Sequence, residues 1–329
     1  MLDISDLDNL FADQAEIEAY LAVKRIDEIL VGHQSFMDGY NGIRACIKAS
    51  VHAREPTGCM LLGEGGMGKT SLSRLIQKSM KPKTVVENDL EIDTVPAFYT
   101  SFKSVRSLDA LTTDILKKLN DPHPTIGKVG DKASRVLDLL KRCRTIIVFV
   151  DELHDLEGLA KRDFERMGTF IKWIKELCNE CGPVICLMGT PECHDIFDGD
   201  TQMSRRFKPK FFLRSLSPGT KDCPGPLLWF LRDVSTEILA RTPLKALPPI
   251  HEYSNALRIY AAAGGNLDFT MALMKQAALI TLLEKRTAIT LDDFARVWDM
   301  GILNSATKVK FNPFRATENE LAAGFRKQA

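Results

Sequence analysis

Gly63-Glu64-Gly65-Gly66-Met67-Gly68-Lys69-Thr70 is the stretch that decides how this chain is read. It fits G-x-x-x-x-G-K-[ST]. It follows the short apolar run Cys59–Leu62 and opens a segment with Leu72, Leu75 and Ile76 at helical spacing. Strand, glycine loop and helix in that order is the context in which this pattern cradles phosphates. Gly63, Gly65, Gly66 and Gly68 let backbone N–H groups turn inward, and the helix N-terminus adds partial positive charge. Lys69 would reach the β- and γ-phosphates and the Thr70 hydroxyl would ligate Mg²⁺, with Ser71 next in the same helical turn.

Eighty-two residues after Lys69, the run Thr145–Val150 ends in Asp151-Glu152. An apolar strand closing on two acids is a weak signal by itself; behind a phosphate loop it is a strong one. Taken as the neighbour of the loop-bearing strand, it lets Asp151 hold the Mg²⁺ shell. Glu152 can then orient and deprotonate a water aimed at the γ-phosphate. The next run, Val184–Met188, ends in Gly189-Thr190. Thr190 reads either as a polar sensor between the acids and the γ-phosphate or as the N-cap of the following turn.

Working outward, short apolar runs at Cys59–Leu62, Val95–Thr100, Ile146–Val150, Val184–Met188 and Phe211–Leu213 are the predicted strands. Helical periodicity separates the first four, as in Leu108, Leu111, Ile115, Leu116 and Leu119, with Ser107 as N-cap. Alternation of this kind predicts an α/β fold with a five-stranded parallel sheet covered on both faces. After Pro218 the segments 227–240, 252–263, 267–285 and 291–300 read as helices, the last opened by a Thr290/Asp293 capping box. The predicted organisation is an acidic N-terminal arm (1–28), an α/β nucleotide-binding domain (29–218), a small helical lid (219–300) and a basic C-terminal tail (301–329).

The chain has 329 residues, 45% hydrophobic and 26% charged, with net charge +1. These are ordinary globular values, so long disorder and a globally basic nucleic-acid binder are excluded, while a local basic surface is not. No apolar run reaches 18 residues and the N-terminus is acidic, which predicts neither a membrane span nor a secretory signal and makes cytoplasm the default. Eight Cys do not make a disulfide scaffold. Cys178-x-x-Cys181, with Cys186, Cys193 and His194 nearby, has poor zinc spacing and reads as core packing.

Other residues stay open. Residues 201–215 carry five bases and no acid. Arg205 and Arg206 there fit an Arg that reaches a neighbouring subunit's nucleotide, a solvated basic edge, or a phosphate contact to nucleic acid. His154 either couples Glu152 to a neighbouring site or sits on a surface turn. Residues 103–144 hold ten bases against five acids. Lys103 and Arg106, just past a strand end, are the candidates for DNA phosphate contacts. Phe311, Pro313 and Phe314 in the tail read as anchors for a partner's groove or as pins onto the lid.

GEGGMGKT, VFVDELHDL, VICLMGTPE, SRRF and a helical lid, with an extra strand between phosphate loop and acid strand, place the chain among AAA+ ATPases. More narrowly it resembles the TnsC/TniB family of AAA+ regulators of DNA transposition, from about Ile29 to Phe314. Ile29-Leu30-Val31-Gly32-His33, Asp151-Glu152-Leu153-His154, and Gly189-Thr190-Pro191 followed by Arg205-Arg206-Phe207 carry the likeness. The short lid looks most like the compact members, including those of CRISPR-associated transposons. The resemblance implies an ATP-dependent protein that binds duplex DNA without sequence preference and assembles into rings or filaments. It would link a TniQ-type targeting protein to the transposase subunits. Lys69, Thr70, Asp151 and Glu152 match the family's nucleotide-site positions and Thr190 a sensor position. The lid departs from the common AAA+ pattern: Gly264-Gly265-Asn266-Leu267-Asp268 offers no sensor Arg, which predicts slow turnover. Rival readings are a signalling switch NTPase without DNA, a P-loop kinase and a helicase loader.

Overall fold

The computed structural model describes residues 13–52, 58–102, 107–155, 164–180, 182–197 and 199–326. They form two compact units, residues 35–214 and residues 1–34 with 215–329.

The first unit is built on five parallel strands in the order β4-β5-β6-β1-β7: β1 (Cys59–Gly63), β4 (Ala97–Ser101), β5 (Ile147–Asp151), β6 (Val184–Gly189) and β7 (Lys210–Leu213). Every residue of β1, β5 and β6 is buried, as continuous apolar runs in a doubly covered parallel sheet require. Edge strand β4 instead alternates, with Phe98 and Thr100 inward. Helices α3 (Lys69–Ser79), α4 (Leu108–Lys118), α5 (Val129–Arg142) and α6 (Phe164–Glu180) lie between strands, after α1 (Gln14–Ile26) and α2 (Gln34–His52). Ser107 caps α4 as expected, its hydroxyl accepting from the Ala110 N–H at 3.2 Å. The Thr100 hydroxyl donates to Asp114 at 2.7 Å and fixes α4 to the sheet edge.

One expectation is corrected. The acid strand β5 is not the neighbour of β1, because β6 lies between them and pairs with both. An antiparallel hairpin was also absent from the sequence reading: β2 (Thr84–Glu87) and β3 (Leu90–Asp93). Asn88 and Asp89 turn it with φ of 48° and 62°, the left-handed pair that a two-residue hairpin loop demands. With four residues per strand and mostly exposed positions, its pattern was too short and too polar to read.

The second unit gathers both ends of the chain: α1, α8 (Pro226–Arg241), α9 (Tyr253–Ala263), α10 (Leu267–Leu283), α11 (Leu291–Asp299) and α12 (Glu318–Arg326). Short α7 (Thr201–Arg206) belongs to the first. Asp13 caps α1 by accepting from the Glu16 N–H at 2.8 Å. Ala19, Ala22 and Ile26 are buried where α1 packs on α8 and α10, and Lys275 pairs with Asp27. The compact units therefore divide the chain differently from the expected arm, domain, lid and tail. Residues 13–34 join the helices because their apolar face closes that core.

The tail is likewise part of the fold. Leu303, Val309, Phe314, Ala316 and Leu321 are buried, and the Phe314 ring lies 5.6 Å from that of Phe294. Arg258 donates to the carbonyls of Pro313 and Ala316, each at 2.6 Å. Phe311 is partly buried against the same segment. Partner anchors were one reading of these aromatics; their burial makes them pins instead.

Two predictions follow from buried contacts. Asp293, 1% exposed, accepts from the Thr290 N–H and hydroxyl, both at 2.8 Å, and from Arg286 at 3.0 Å. Burial alone would raise its pKa, but the Arg286 and Thr290 bonds outweigh burial and hold it below the ordinary value. Its stabilisation is therefore fully present above about pH 4, the unfolded value, and is lost as pH falls through the lower folded value. Asp293→Ala should lower unfolding free energy at pH 7 by about 2–3 kcal/mol, with the gap to the parent closing in acid, as read by thermal melts across pH. At the sheet, a Cβ on Gly63 would stand 2.7 Å from the Leu213 carbonyl oxygen, whereas one on Gly65 meets nothing within 4 Å. Gly63→Ala should lower the melting temperature and Gly65→Ala should not.

Candidate nucleotide site

The loop from β1 into α3 is shaped by its glycines. Gly66 and Gly68 take φ of 77° and 89°, open to glycine and strained for other residues. Met67 between them is buried and anchors the loop. Helix α3 starts on Gly68 with no side-chain cap and no acid in its first turn. Its first N–H groups and the positive end of its dipole are left for an anion. Leu72 and Ile76, both fully buried, hold the helix down.

The Lys69 ammonium donates to the carbonyls of Gly63, at 2.5 Å, and Glu64, at 3.1 Å. Burial pulls its pKa below the ordinary value; the carboxylates of Asp151, Glu152 and Glu64 oppose that pull. Thr70 is half-buried beside it and Ser71 exposed. Uncapped N–H groups, open space at Gly65 and a half-buried ammonium fit a polyphosphate.

At the end of β5, Asp151 is 5% exposed and both its oxygens are engaged. Oδ2 accepts from the Tyr99 hydroxyl at 2.9 Å and Oδ1 from the Glu152 N–H at 2.8 Å. Burial first, then the Asp151 charge, pushes the Tyr99 phenol up, so it stays a donor. Tyr99 escaped the sequence reading because it looked like one more apolar strand residue. Its strand position beside β5 is the signal that could have singled it out. Glu152 has φ 61°, a left-handed backbone that no sequence pattern announced.

Thr190 follows β6, which lies between the strand that leads into the phosphate loop and the strand that ends in Asp151. It holds the N-cap position of the 3₁₀ turn Pro191–Asp195, but its hydroxyl does not cap that turn. The hydroxyl lies 3.8 Å from Cys193 Sγ and bonds the Glu192 carboxyl, holding it below its usual range. Arg205 and Arg206 end α7, which Asp200 caps by accepting from the N–H groups of Gln202 and Met203. Arg205 is exposed; Arg206 is half-buried and close enough to Cys178 to act on its thiol, which burial pushes up to about 11. Cys178, Cys186 and Cys193 are all buried. Lys103 and Arg106 lie outside the described residues.

Lys69, Thr70, Asp151, Glu152 and Thr190 thus stand at the carboxyl ends of β1, β5 and β6, where open parallel sheets bind ligands. Among the described residues no helix is long and apolar enough to cross a membrane.

Solved AAA+ proteins share this fold. The chain is similar to the Aeropyrum pernix ORC1 protein in complex with DNA (TM-score 0.57, 16% identity, covering 82% of this chain and 66% of that one). It is also similar to the A. pernix ORC2 protein in its ADPNP–ADP complexes (0.55, 14%, 78% and 66%). A third is Cdc6p from Pyrobaculum aerophilum (0.53, 14%, 88% and 84%). The chain spans just under two thirds of the length of the first two. No curated protein matches it. A family model described as bacterial TniB protein matches residues 25–215, from the last turn of α1 to the end of the α/β unit. That is more than half of the chain, which therefore belongs to the TniB family and carries the fold of the AAA+ ATPases.

Proposed function

We propose that this protein is an ATP-hydrolysing, DNA-binding regulator of DNA transposition that oligomerises on duplex DNA and links a TniQ-type targeting protein to the transposase. The observation that carries the reading is the convergence of Lys69, Asp151 and Glu152 at the sheet's carboxyl edge in a TniB family member. The N–H groups of the loop and Lys69 bind the phosphates. Thr70 and Asp151 are the residues that would hold Mg²⁺, with Tyr99 fixing the Asp151 carboxylate. Mg²⁺ supplies positive charge to the phosphate oxygens in chemistry of this kind. Glu152 takes the proton of the attacking water, and Thr190 lies between base and loop, where it senses the γ-phosphate.

With net charge +1, DNA is held by a local basic surface repeated through assembly. Lys103 and Arg106 are the proposed contacts. A fold shared with an ORC1 protein seen in complex with DNA supports a DNA-bound role. Of the two arginines, exposed Arg205 is the one we assign to a neighbouring subunit's nucleotide. Arg206 is half-buried and near enough to Cys178 of its own chain for its charge to act on that thiol.

The test compares ATP hydrolysis, ATP binding and electron micrographs with duplex DNA. Glu152→Gln should bind ATP and assemble on DNA without hydrolysis, because the amide accepts no proton. Lys69→Ala should lose ATP binding itself. Binding to DNA should need ATP and weaken with salt, each phosphate contact contributing about −0.9 to the log–log slope. Glu152→Gln hydrolysing at the parental rate would sink the catalytic assignment, and ATP-driven assembly indifferent to DNA would favour a switch NTPase.

Arg205 is tested by mixing. Arg205→Ala combined with Lys69→Ala protein should recover part of the ATPase activity, since some hybrid interfaces hold one intact site. Absence of rescue at every ratio places Arg205 outside the partner's site.

A further inference from the structure

His154 Nε2 lies 3.1 Å from Glu152 Oε2. The backbone makes this pairing possible over two residues. Glu152 is left-handed, the Asp155 N–H closes the turn on the Glu152 carbonyl at 3.0 Å, and fully buried Leu153 donates its N–H to Met188 of β6 at 2.9 Å. With Leu153 driven into the core, the side chains on either side of it emerge together.

The surroundings of His154 are acidic. Its Nε2 is 3.9 Å from Asp155 Oδ1, and Glu192, bonded to Thr190, is near enough to feel its charge. Nδ1 is out of solvent, and no described residue bonds it. The carboxylate partner assigns Nε2 as the donor. His154 therefore stands against the acid that follows β5.

We propose that His154 is a positioning residue for ATP hydrolysis: its Nε2–H holds the Glu152 carboxylate where it takes a proton from water. This rests on Glu152 being the base. A glutamate rotates about three side-chain bonds, and one donor on Oε2 removes most of that freedom at no charge cost to the carboxylate. His154 itself touches no reacting atom, so its effect falls on turnover and not on nucleotide affinity.

The experiment measures steady-state ATP hydrolysis with duplex DNA, and equilibrium binding of a fluorescent ATP analogue, on the full chain. The variants are His154→Ala, His154→Gln, Glu152→Gln and the double His154→Ala/Glu152→Gln. His154→Ala should lower kcat about tenfold while KM and analogue affinity stay within about twofold. His154→Gln, whose amide also donates, should recover much of the loss. The double variant should be no slower than Glu152→Gln. With its side chain 40% exposed, His154 should tolerate these changes with an unshifted melting temperature. Unchanged kcat in His154→Ala, analogue affinity falling with kcat, or no recovery in His154→Gln overturns the proposal. If Glu152→Gln is inactive while His154→Ala is normal, the His154 inference fails alone. If Glu152→Gln turns over like the parent, the base assignment fails and this proposal with it.

Discussion

A lysine ammonium at the mouth of β1 must stay charged where burial works against charge. Lys69 manages this with two loop carbonyls for its protons and three carboxylates, Asp151, Glu152 and Glu64, for its field. The same carboxylates would repel a polyphosphate. The loop offsets them with dipoles that need no counter-ion: an uncapped helix start and N–H groups freed by glycine. Acid pair and phosphate loop are therefore parts of one electrostatic balance. Removing a carboxylate alters Lys69 as well as the chemistry assigned to that carboxylate.

Sheet order sets how that balance is read out. With β6 between β1 and β5, the acids are one strand farther from the loop than direct pairing would put them. The gap is where Thr190 sits. Leu153, bonded to Met188 and packed against Gly189, fixes the turn after the acids to the strand that carries Thr190. A shift of β6 would therefore reach Glu152 through the backbone.

The candidate nucleotide site was legible because its signals are local, a glycine pattern in strand–loop–helix context and two acids after an apolar run; Ser107 and Thr290 at helix starts were legible for the same reason. All five core strands could be read: β1, β5 and β6 are buried and apolar throughout, and edge strands β4 and β7 still carry short apolar runs. What was missed depends on distant neighbours. Strand order is a property of pairing, so the interposed β6 was invisible. Tyr99 became a functional candidate only when β4 was laid beside β5. The left-handed Glu152 has no sequence signature, and the role of the chain's ends was hidden because Ala19, Ala22 and Ile26 are too sparse to declare a core face. Phe314 could be read as an anchor as well as a pin because the residues around it are polar.

The family match and the division of the chain into units bear on each other. The matched residues, 25–215, cover the α/β unit in full and barely enter the helical one. The helical unit is built from segments some two hundred residues apart, closed by α1 at one end and by the Val309–Leu321 segment at the other. Its internal order is bought with polar contacts as much as apolar ones, the Asp293–Arg286–Thr290 set and the Arg258 bonds to the tail being examples. It also lacks an arginine at the Gly264–Asp268 step. The residues of the candidate nucleotide site all lie within the matched stretch. The helical unit takes its shape from these contacts among its own residues, most of which lie outside the matched stretch.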